Sequence, residues 1–462
     1  MAERTAKAAE RGVEEAAQRC VNPECGATYG LRERVYVCPQ CGETLEIDCR
    51  LARPRDPASL RKSWAAKTHS KLPRDASGVW RYHDLLPFDE DAPFVTLFEG
   101  NTPLFHAPRS AEYCRLADLR LKHQGYNPTG SFKDTGMAAA MTQAVVCRSH
   151  TAVCASTGNT AASLAAYASR AGLRSAILLP RGQVSPAKLA QSLDYGARVL
   201  EIDGNFDDCM RLVTELGDDP SIYVANSINP FRIEGQKTVA FEMMVQCMWQ
   251  VPNHIVVPGG NMGNSTALGK GFQELLDLKL INRLPKLHVI QAEGAAPLAR
   301  LFATLNPKQL SGAADMPATI PPVKDPKTFA TAIKIGAPVS WKKALRAVLR
   351  SGGQIISVSE QEIADAKAMI GLDSIGCEPA SATTVAGIKK LVASGHIRRD
   401  EDVVAVLTGH ALKDPDYMIQ YHTGTLSVAR GSRPAVHGAF RNAPQRIAAT
   451  TEAIRDCLEP QR

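Results

Sequence analysis

A lysine at the start of a helix, beside an aromatic ring and short of water, has reason to lose its proton and become a nucleophile. Lys133 has that setting in the run Asn127-Pro128-Thr129-Gly130-Ser131-Phe132-Lys133-Asp134. Pro128 and Gly130 mark a turn, Ser131 suits a helix cap, and residues 137–146 continue as a good helix. By type alone Lys133 also reads as a surface lysine beside a turn. Four further segments have residue types suited to holding an anion or a ring. Ser156-Thr157-Gly158-Asn159-Thr160 offers small hydroxyl and amide groups that either cap a helix or bind an oxyanion, phosphate or carboxylate. Gly259-Gly260-Asn261-Met262-Gly263-Asn264 lets the backbone approach a ligand ahead of a helix whose dipole favours a phosphate. It lacks both the Lys-Ser/Thr ending of a nucleotide P-loop and the spacing of a dinucleotide fingerprint, which argues against nucleotide chemistry. Asn226-Ser227-Ile228-Asn229-Pro230-Phe231-Arg232 adds hydroxyl and amide donors to one guanidinium, which forms either a fork for a second anion or a solvated loop. Thr408-Gly409-His410 brings a hydroxyl that either meets a ring nitrogen or caps a turn.

The elements that must position these residues alternate from about residue 95. Strands are expected at 151–155, 175–179, 198–202, 222–225, 254–257, 288–292, 354–358 and 402–407, and helices at 160–171, 186–195, 206–216 and 234–249. Ser359 and Glu362 have capping-box spacing at another helix start. Repeated strand–helix–strand order predicts an α/β chain with mostly parallel sheets, covered by helices on both faces. Ligands in such sheets sit beyond the carboxyl ends of the strands. The segments above fall at such ends, so together they make a constellation that separate capping events would seldom produce.

Nearer the amino terminus, Cys20-x4-Cys25-x12-Cys38-x2-Cys41 has the two-knuckle form of a zinc ribbon, with Gly26 and Gly42 after the second and fourth cysteines. Four thiolates at this spacing can hold a structural metal; the alternatives are reduced, metal-free cysteines or a ribbon held by packing. Residues 1–19 read as a polar arm, 20–50 as the ribbon, and 51–95, rich in Pro, Arg and Trp, as a wrapping extension. The formal charge of +7, from 54 basic and 47 acidic residues, is small and spread out, with no basic block, so no nucleic-acid partner is expected. No segment reaches the ~18 apolar residues of a membrane span. The amino-terminal stretch has no apolar secretory core and is too acidic for a transit peptide, and the twelve cysteines suit a reducing cytoplasm.

Taken together, NPTGSFKD at 127–134, STGNT at 156–160, NSINPFRIEGQK at 226–237 and GNMGN at 260–264 resemble the threonine synthase family of fold type II pyridoxal-phosphate enzymes. The resemblance runs from about residue 98 to 414 and extends through ATAIKIGAPVS at 330–340 and EPASA at 378–382. FEGNTPLF at 98–105 and the segment 77–80 are similar to the plant-type branch, and some microbial members carry a ribbon at this end. Thr135 stands where many relatives have arginine.

The resemblance implies a tryptophan synthase β-like architecture with two open, mostly parallel sheet domains and the cofactor between them. The large domain would be 96–150 with 236–420, the small domain 151–235, and 421–462 a tail outside the match. It implies that Lys133 forms the Schiff base with pyridoxal 5'-phosphate and shuttles protons. Asn159 would meet the cofactor's 3'-oxygen, and Gly260, Asn261, Met262, Gly263 and Asn264 its phosphate. Thr408 would meet the pyridine nitrogen, and a hydroxyl there would leave that nitrogen largely unprotonated. Ser156, Thr160, Ser227 and Arg232 would hold the phosphate of O-phosphohomoserine, which reacts with water to give threonine and inorganic phosphate. Zinc on Cys20, Cys25, Cys38 and Cys41 and a homodimer are further implications. The alternatives are a threonine or serine dehydratase, a cysteate synthase, or a cofactor-binding protein without turnover; Arg232 with Ser227 argues for a phosphorylated substrate.

Overall fold

The computed structural model describes residues 16–49, 56–182, 186–305, 316–426 and 436–458. A six-stranded sheet has the order β12-β11-β10-β13-β5-β4. Its strands are β4 (Leu104–His106), β5 (Arg120–His123), β10 (His254–Pro258), β11 (Lys286–Ala292), β12 (Ile355–Val358) and β13 (Val403–Leu407). All its pairs are parallel except β4 with β5. A four-stranded parallel sheet has the order β8-β7-β6-β9, from β6 (Thr151–Ala155), β7 (Arg174–Pro180), β8 (Arg198–Ile202) and β9 (Ile222–Val224).

Side chains alternate across each sheet, so a strand buried on both faces reads as an unbroken apolar run. In β13, Val404 and Val406 join one core cluster while Val403, Ala405 and Leu407 join the cluster on the opposite face. In β6, Ala152 and Cys154 face one cluster and Val153 and Ala155 the other. Such runs made these strands legible in the sequence. β5 was not, because its centre is Lys122, fully buried and ion-paired to Glu242. Lys122 also donates to the Thr102 carbonyl at 2.6 Å and to Gln246 at 2.9 Å. The partners that make a lysine tolerable inside a sheet are distant in sequence, so no local pattern announces it.

The helix expected at 234–249 begins earlier, as Pro230–Gln246, because the Asn229 side chain accepts from the Phe231 N–H at 3.0 Å and Pro230 occupies the first turn. The capping box of Ser359 and Glu362 is formed in both directions. The extension before residue 95 packs onto the larger sheet's helices. Trp64 stacks on Phe241 and Trp249 at ring-centroid distances of 5.7 and 6.0 Å, with Tyr82 edge-on at 4.9 Å.

The ribbon is a small antiparallel sheet of β1 (Ala17–Cys20), β2 (Thr28–Gly30) and β3 (Leu45–Asp48). β1 therefore opens inside the stretch read as a polar arm; residues 1–15 of that arm lie outside the described residues. The ribbon touches a helix (Trp341–Ser351) packed on the larger sheet and a strand of the smaller one. On one side Glu43 and Glu46 pair with Lys342 and Arg346, and Lys343 donates to the Leu45 carbonyl at 3.0 Å. On the other, the Tyr36 hydroxyl accepts from the Val224 N–H at 2.9 Å and Arg34 donates to the Pro220 carbonyl. Among the described residues no helix is long and apolar enough to cross a membrane.

Candidate active site

Strand register decides which loops meet. Leu407 pairs with His123, so the loops after β13 and β5 emerge side by side. Val153 pairs with Val224, so the Ser156 loop lies beside the Ser227 loop. The Lys133 turn is fastened to the first of these pairs. Phe132 N–H donates to the Thr408 carbonyl at 2.9 Å, and His410 N–H donates to the Gly130 carbonyl at 2.9 Å. The helix Lys133–Val146 thus starts beside Thr408, with Phe132 at its cap position and no side-chain cap. Ser131 does not cap in the usual sense: its hydroxyl only accepts from the Lys133 N–H at 3.4 Å. Asp134 instead ties the turn together, accepting from the Thr129 N–H at 2.7 Å and the Thr129 hydroxyl at 2.6 Å.

Lys133 Nζ lies 4.1 Å from the centroid of the Phe132 ring. Desolvation, and after it the nearby Arg232 guanidinium, pull its pKa down to about 7, with Glu378 opposing. A lysine so placed is an available nucleophile and base near neutrality. Arg232 is itself buried and its pKa is lowered to about 10, so it keeps its charge. One nitrogen donates to the Ala225 carbonyl at 3.1 Å, while its buried Nε has no hydrogen-bond partner among the described residues. A buried cation with a spare donor suits an anion.

Two glycines bring Arg232 to Lys133. The helices Lys133–Val146 and Pro230–Gln246 cross so closely that a methyl on Gly235 would lie 2.0 Å from the Thr135 carbonyl oxygen, and one on Gly136 would lie 2.9 Å from the Arg232 carbonyl oxygen. Gly235→Ala is therefore expected to force these helices apart. It should cost ~1–3 kcal/mol of stability, as overpacking does, and weaken binding of a phosphorylated substrate, read from a thermal melt and from KM.

The Gly260–Asn264 loop shows how it could hold a phosphate. Met262 has φ 65° and stands as the cap of the helix Gly263–Asp277 without any side-chain cap bond. Both polar atoms of the buried Asn264 side chain lack partners among the described residues. Unfilled donors at a helix start fit a phosphate group. Gly260 sits against Ile333, where a Cβ would come within 3.2 Å of its Cα. Asn261 braces the neighbouring loop, donating to the Ser227 hydroxyl at 3.4 Å and accepting from the Val339 N–H at 3.3 Å.

Asn159 opens the helix Asn159–Arg170, which likewise has no side-chain cap, and Thr160 is buried in its first turn. The Ser156 hydroxyl accepts from the Gly158 N–H at 3.3 Å. Asn159 Nδ2 donates to Glu378 at 3.0 Å, and the Thr408 hydroxyl donates to the other oxygen of the same carboxyl at 2.9 Å. Lys133, Asn159, Thr408 and Arg232 are thus linked by direct bonds or by charge, and Ser227 joins Asn261. Glu378 is the residue that reading the motifs for chemistry passed over. Its signal was an acid within EPASA, directly before a helix-starting proline.

Two sheets, a depressed-pKa lysine at the junction of their loops and an uncapped helix start with unfilled donors fit a pyridoxal-phosphate-dependent enzyme. A family model described as pyridoxal-phosphate dependent enzyme matches residues 95–409. Threonine synthase of Methanocaldococcus jannaschii is 44% identical over 87% of this chain and 94% of its own length. Threonine synthase of Methanosarcina acetivorans is 46% identical over 87% of this chain and 93% of its own. The chain belongs to the threonine synthase family of pyridoxal-phosphate-dependent lyases. Among solved structures, threonine deaminase isoform 2 from Solanum lycopersicum shares the fold with a TM-score of 0.56 at 18% identity, covering 67% of this chain and 79% of that one.

Proposed function

We propose that this chain converts O-phosphohomoserine and water to threonine and phosphate, with Lys133 holding the cofactor and moving the protons. The observation that carries this reading is the buried, half-satisfied Arg232 beside Lys133. A dehydratase acting on a free hydroxy amino acid has no leaving phosphate for that charge to meet. Pyridoxal 5'-phosphate, when bound, supplies a conjugated ring that takes up negative charge from the substrate's carbon.

The chain's own residues do the rest. Lys133, neutral above about pH 7, takes up and returns protons at substrate carbons. Arg232, with Ser156, Thr160 and Ser227, orients the leaving phosphate and stabilises its charge as it departs. Gly260, Asn261, Met262, Gly263 and Asn264 anchor the cofactor's phosphate, and Asn159 and Thr408 hold the ring's edge. The test is incubation of the purified protein with O-phosphohomoserine, following threonine and phosphate in equal amounts. Release of 2-oxobutyrate or pyruvate from threonine or serine, with no threonine from the phosphorylated substrate, would overturn it.

We assign 96–150 with 236–420 to the large domain and 151–235 to the small one, and the cofactor to their junction. A cytoplasmic homodimer is the assembly we expect. The ribbon fits zinc. The sulfurs of Cys20, Cys25, Cys38 and Cys41 lie within 4.8 Å of one another. Two of the pairs are 3.4 and 3.7 Å apart, close to the ~3.8 Å between thiolates of a tetrahedral zinc. Gly26 and Gly42 take φ of 60° and 76° at the knuckle turns. The ribbon's own core, Cys20, Cys38 and Leu45, is too small to hold it alone. Metal analysis is expected to give zinc at one per chain, lost in Cys38→Ser together with a lower melting temperature; unchanged zinc would exclude this site.

A further inference from the structure

Arg232 lies in the first turn of the helix Pro230–Gln246. Glu234 follows it by two residues, about 200° further round the helix, so the two side chains leave on opposite sides. Glu234 is fully buried, as is Lys237, which donates to it at 2.6 Å and to Glu274 at 2.8 Å. Lys270 pairs with the other oxygen of Glu234 and lies 3.7 Å from Glu274. Anions and cations thus alternate in a closed ring. Lys270 has one further bond, to the Ile47 carbonyl of the ribbon strand β3 at 2.6 Å. Burial alone would push the Glu234 carboxyl up, but the charges of Lys237 and Lys270 hold it below the usual carboxylate range.

Lys270 and Glu274 belong to the helix Gly263–Asp277, which opens at the Gly260–Asn264 loop. The ring therefore joins the back of the helix that carries Arg232 to the helix that starts at that loop. The two run close together: a methyl on Gly271 would lie 2.6 Å from the Lys237 carbonyl oxygen and 2.8 Å from the Ala240 Cβ. Such a ring is a poor way to gain stability. Its charges give up water to form it, and apolar side chains of similar volume commonly hold a fold as well or better. What apolar contacts lack is direction. Charge-assisted bonds fix one helix against the other in height and rotation, and these set where a guanidinium on the opposite side comes to rest.

We propose that Lys270 and Glu274 are positioning residues that, by gripping Glu234 and Lys237 from the neighbouring helix, fix where Arg232 stands relative to the Gly260–Asn264 loop. They thereby set the separation between the substrate's phosphate and the cofactor's. This rests on the reading that Arg232 receives the substrate's phosphate and the loop the cofactor's. The ribbon enters the same support, since its Ile47 carbonyl seats Lys270. Residues that never touch the substrate then affect how well it is held.

The experiment compares the holoenzyme with a charge-balanced double variant, Lys270→Met with Glu274→Leu, which cuts the ring but leaves Glu234 and Lys237 paired within their own helix. Its kcat/KM for O-phosphohomoserine is expected to fall by ~10–100-fold, the range that a small misplacement by a remote change can cost. The visible absorbance of bound cofactor should stay. The acid limb of the pH profile should move to higher pH as Arg232 draws away from Lys133. Built into Arg232→Gln, the same two substitutions should lower kcat/KM little further, because the residue they position is already gone. Lys270→Arg, which keeps the charge that Glu234 pairs with, should retain most of the activity. If the double variant does not fold, Lys270→Gln makes the same comparison with a smaller loss expected. Unchanged kcat/KM, or an equal loss with and without Arg232, overturns the role of Lys270 and Glu274 alone; a wild-type protein that makes no threonine from O-phosphohomoserine overturns the substrate reading with it.

Discussion

Lys133→Ala is expected to abolish the visible absorbance of protein-bound cofactor and to lower threonine formation by at least ~10³-fold, since positioned proton transfer alone contributes ~10²–10⁴. The loss exceeds that of a binding residue because, in the proposed function, the same amine both holds the cofactor and moves protons. The wild-type protein supplies the pH signature. A lysine nitrogen attacks only when neutral, and Lys133 is drawn down to about 7, by desolvation first and by Arg232 second. Cofactor uptake by the cofactor-free protein should rise through about pH 7 and level off above it, whereas an ordinary lysine, with a pKa of ~10.4, would still be rising. Stability follows the same sign. The unfolded chain keeps the Lys133 proton up to the ordinary lysine value of 10.5, while the folded chain releases it near 7. Folding therefore carries the full cost of burial below about 7, and this residue makes stability rise with pH between the two values. A cofactor band that persists in Lys133→Ala, or uptake that inflects only near pH 10, would show that another residue does this work.

Arg232→Gln is expected to reduce kcat/KM for O-phosphohomoserine by ~10²–10³-fold, the loss typical of removing one donor that meets charge in the transition state. Lys in its place should rescue poorly, because the guanidinium fork also holds the Ala225 carbonyl and leaves Nε free for a second acceptor. The variant has a second readout that a purely structural change would not produce. With the Arg232 charge gone, Lys133 loses one of the two influences that depress its pKa, so the acid limb of the pH profile should move to higher pH. If discrimination between phosphorylated and unphosphorylated substrates survives in Arg232→Gln, the phosphate is recognised elsewhere and the substrate assignment fails.

Local sequence determined most of the elements and the inventory of the site. β6 and β8 have the boundaries that their apolar runs predict, and the helix Phe206–Leu216 does too. The ribbon cysteines, the Gly260–Asn264 loop and Lys133 were readable because each depends on residue types close together in the chain: knuckle glycines, a helix start, a turn. Family resemblance added the expected roles of Asn159, Thr408, Ser227 and Arg232. Tertiary structure alone decided three further matters. It placed β5 in the sheet, because the buried Lys122 is made tolerable by Glu242, 120 residues away. It brought Arg232 to Lys133, because Gly136 and Gly235, having no side chains, allow the backbones of two helices to cross closely. It turned Glu378 from a helix cap into the partner of Asn159 and Thr408, since strand register joins the loops that carry them. Sequence sets what a residue can donate or accept; the distance at which it does so depends on contacts between segments that no local pattern records.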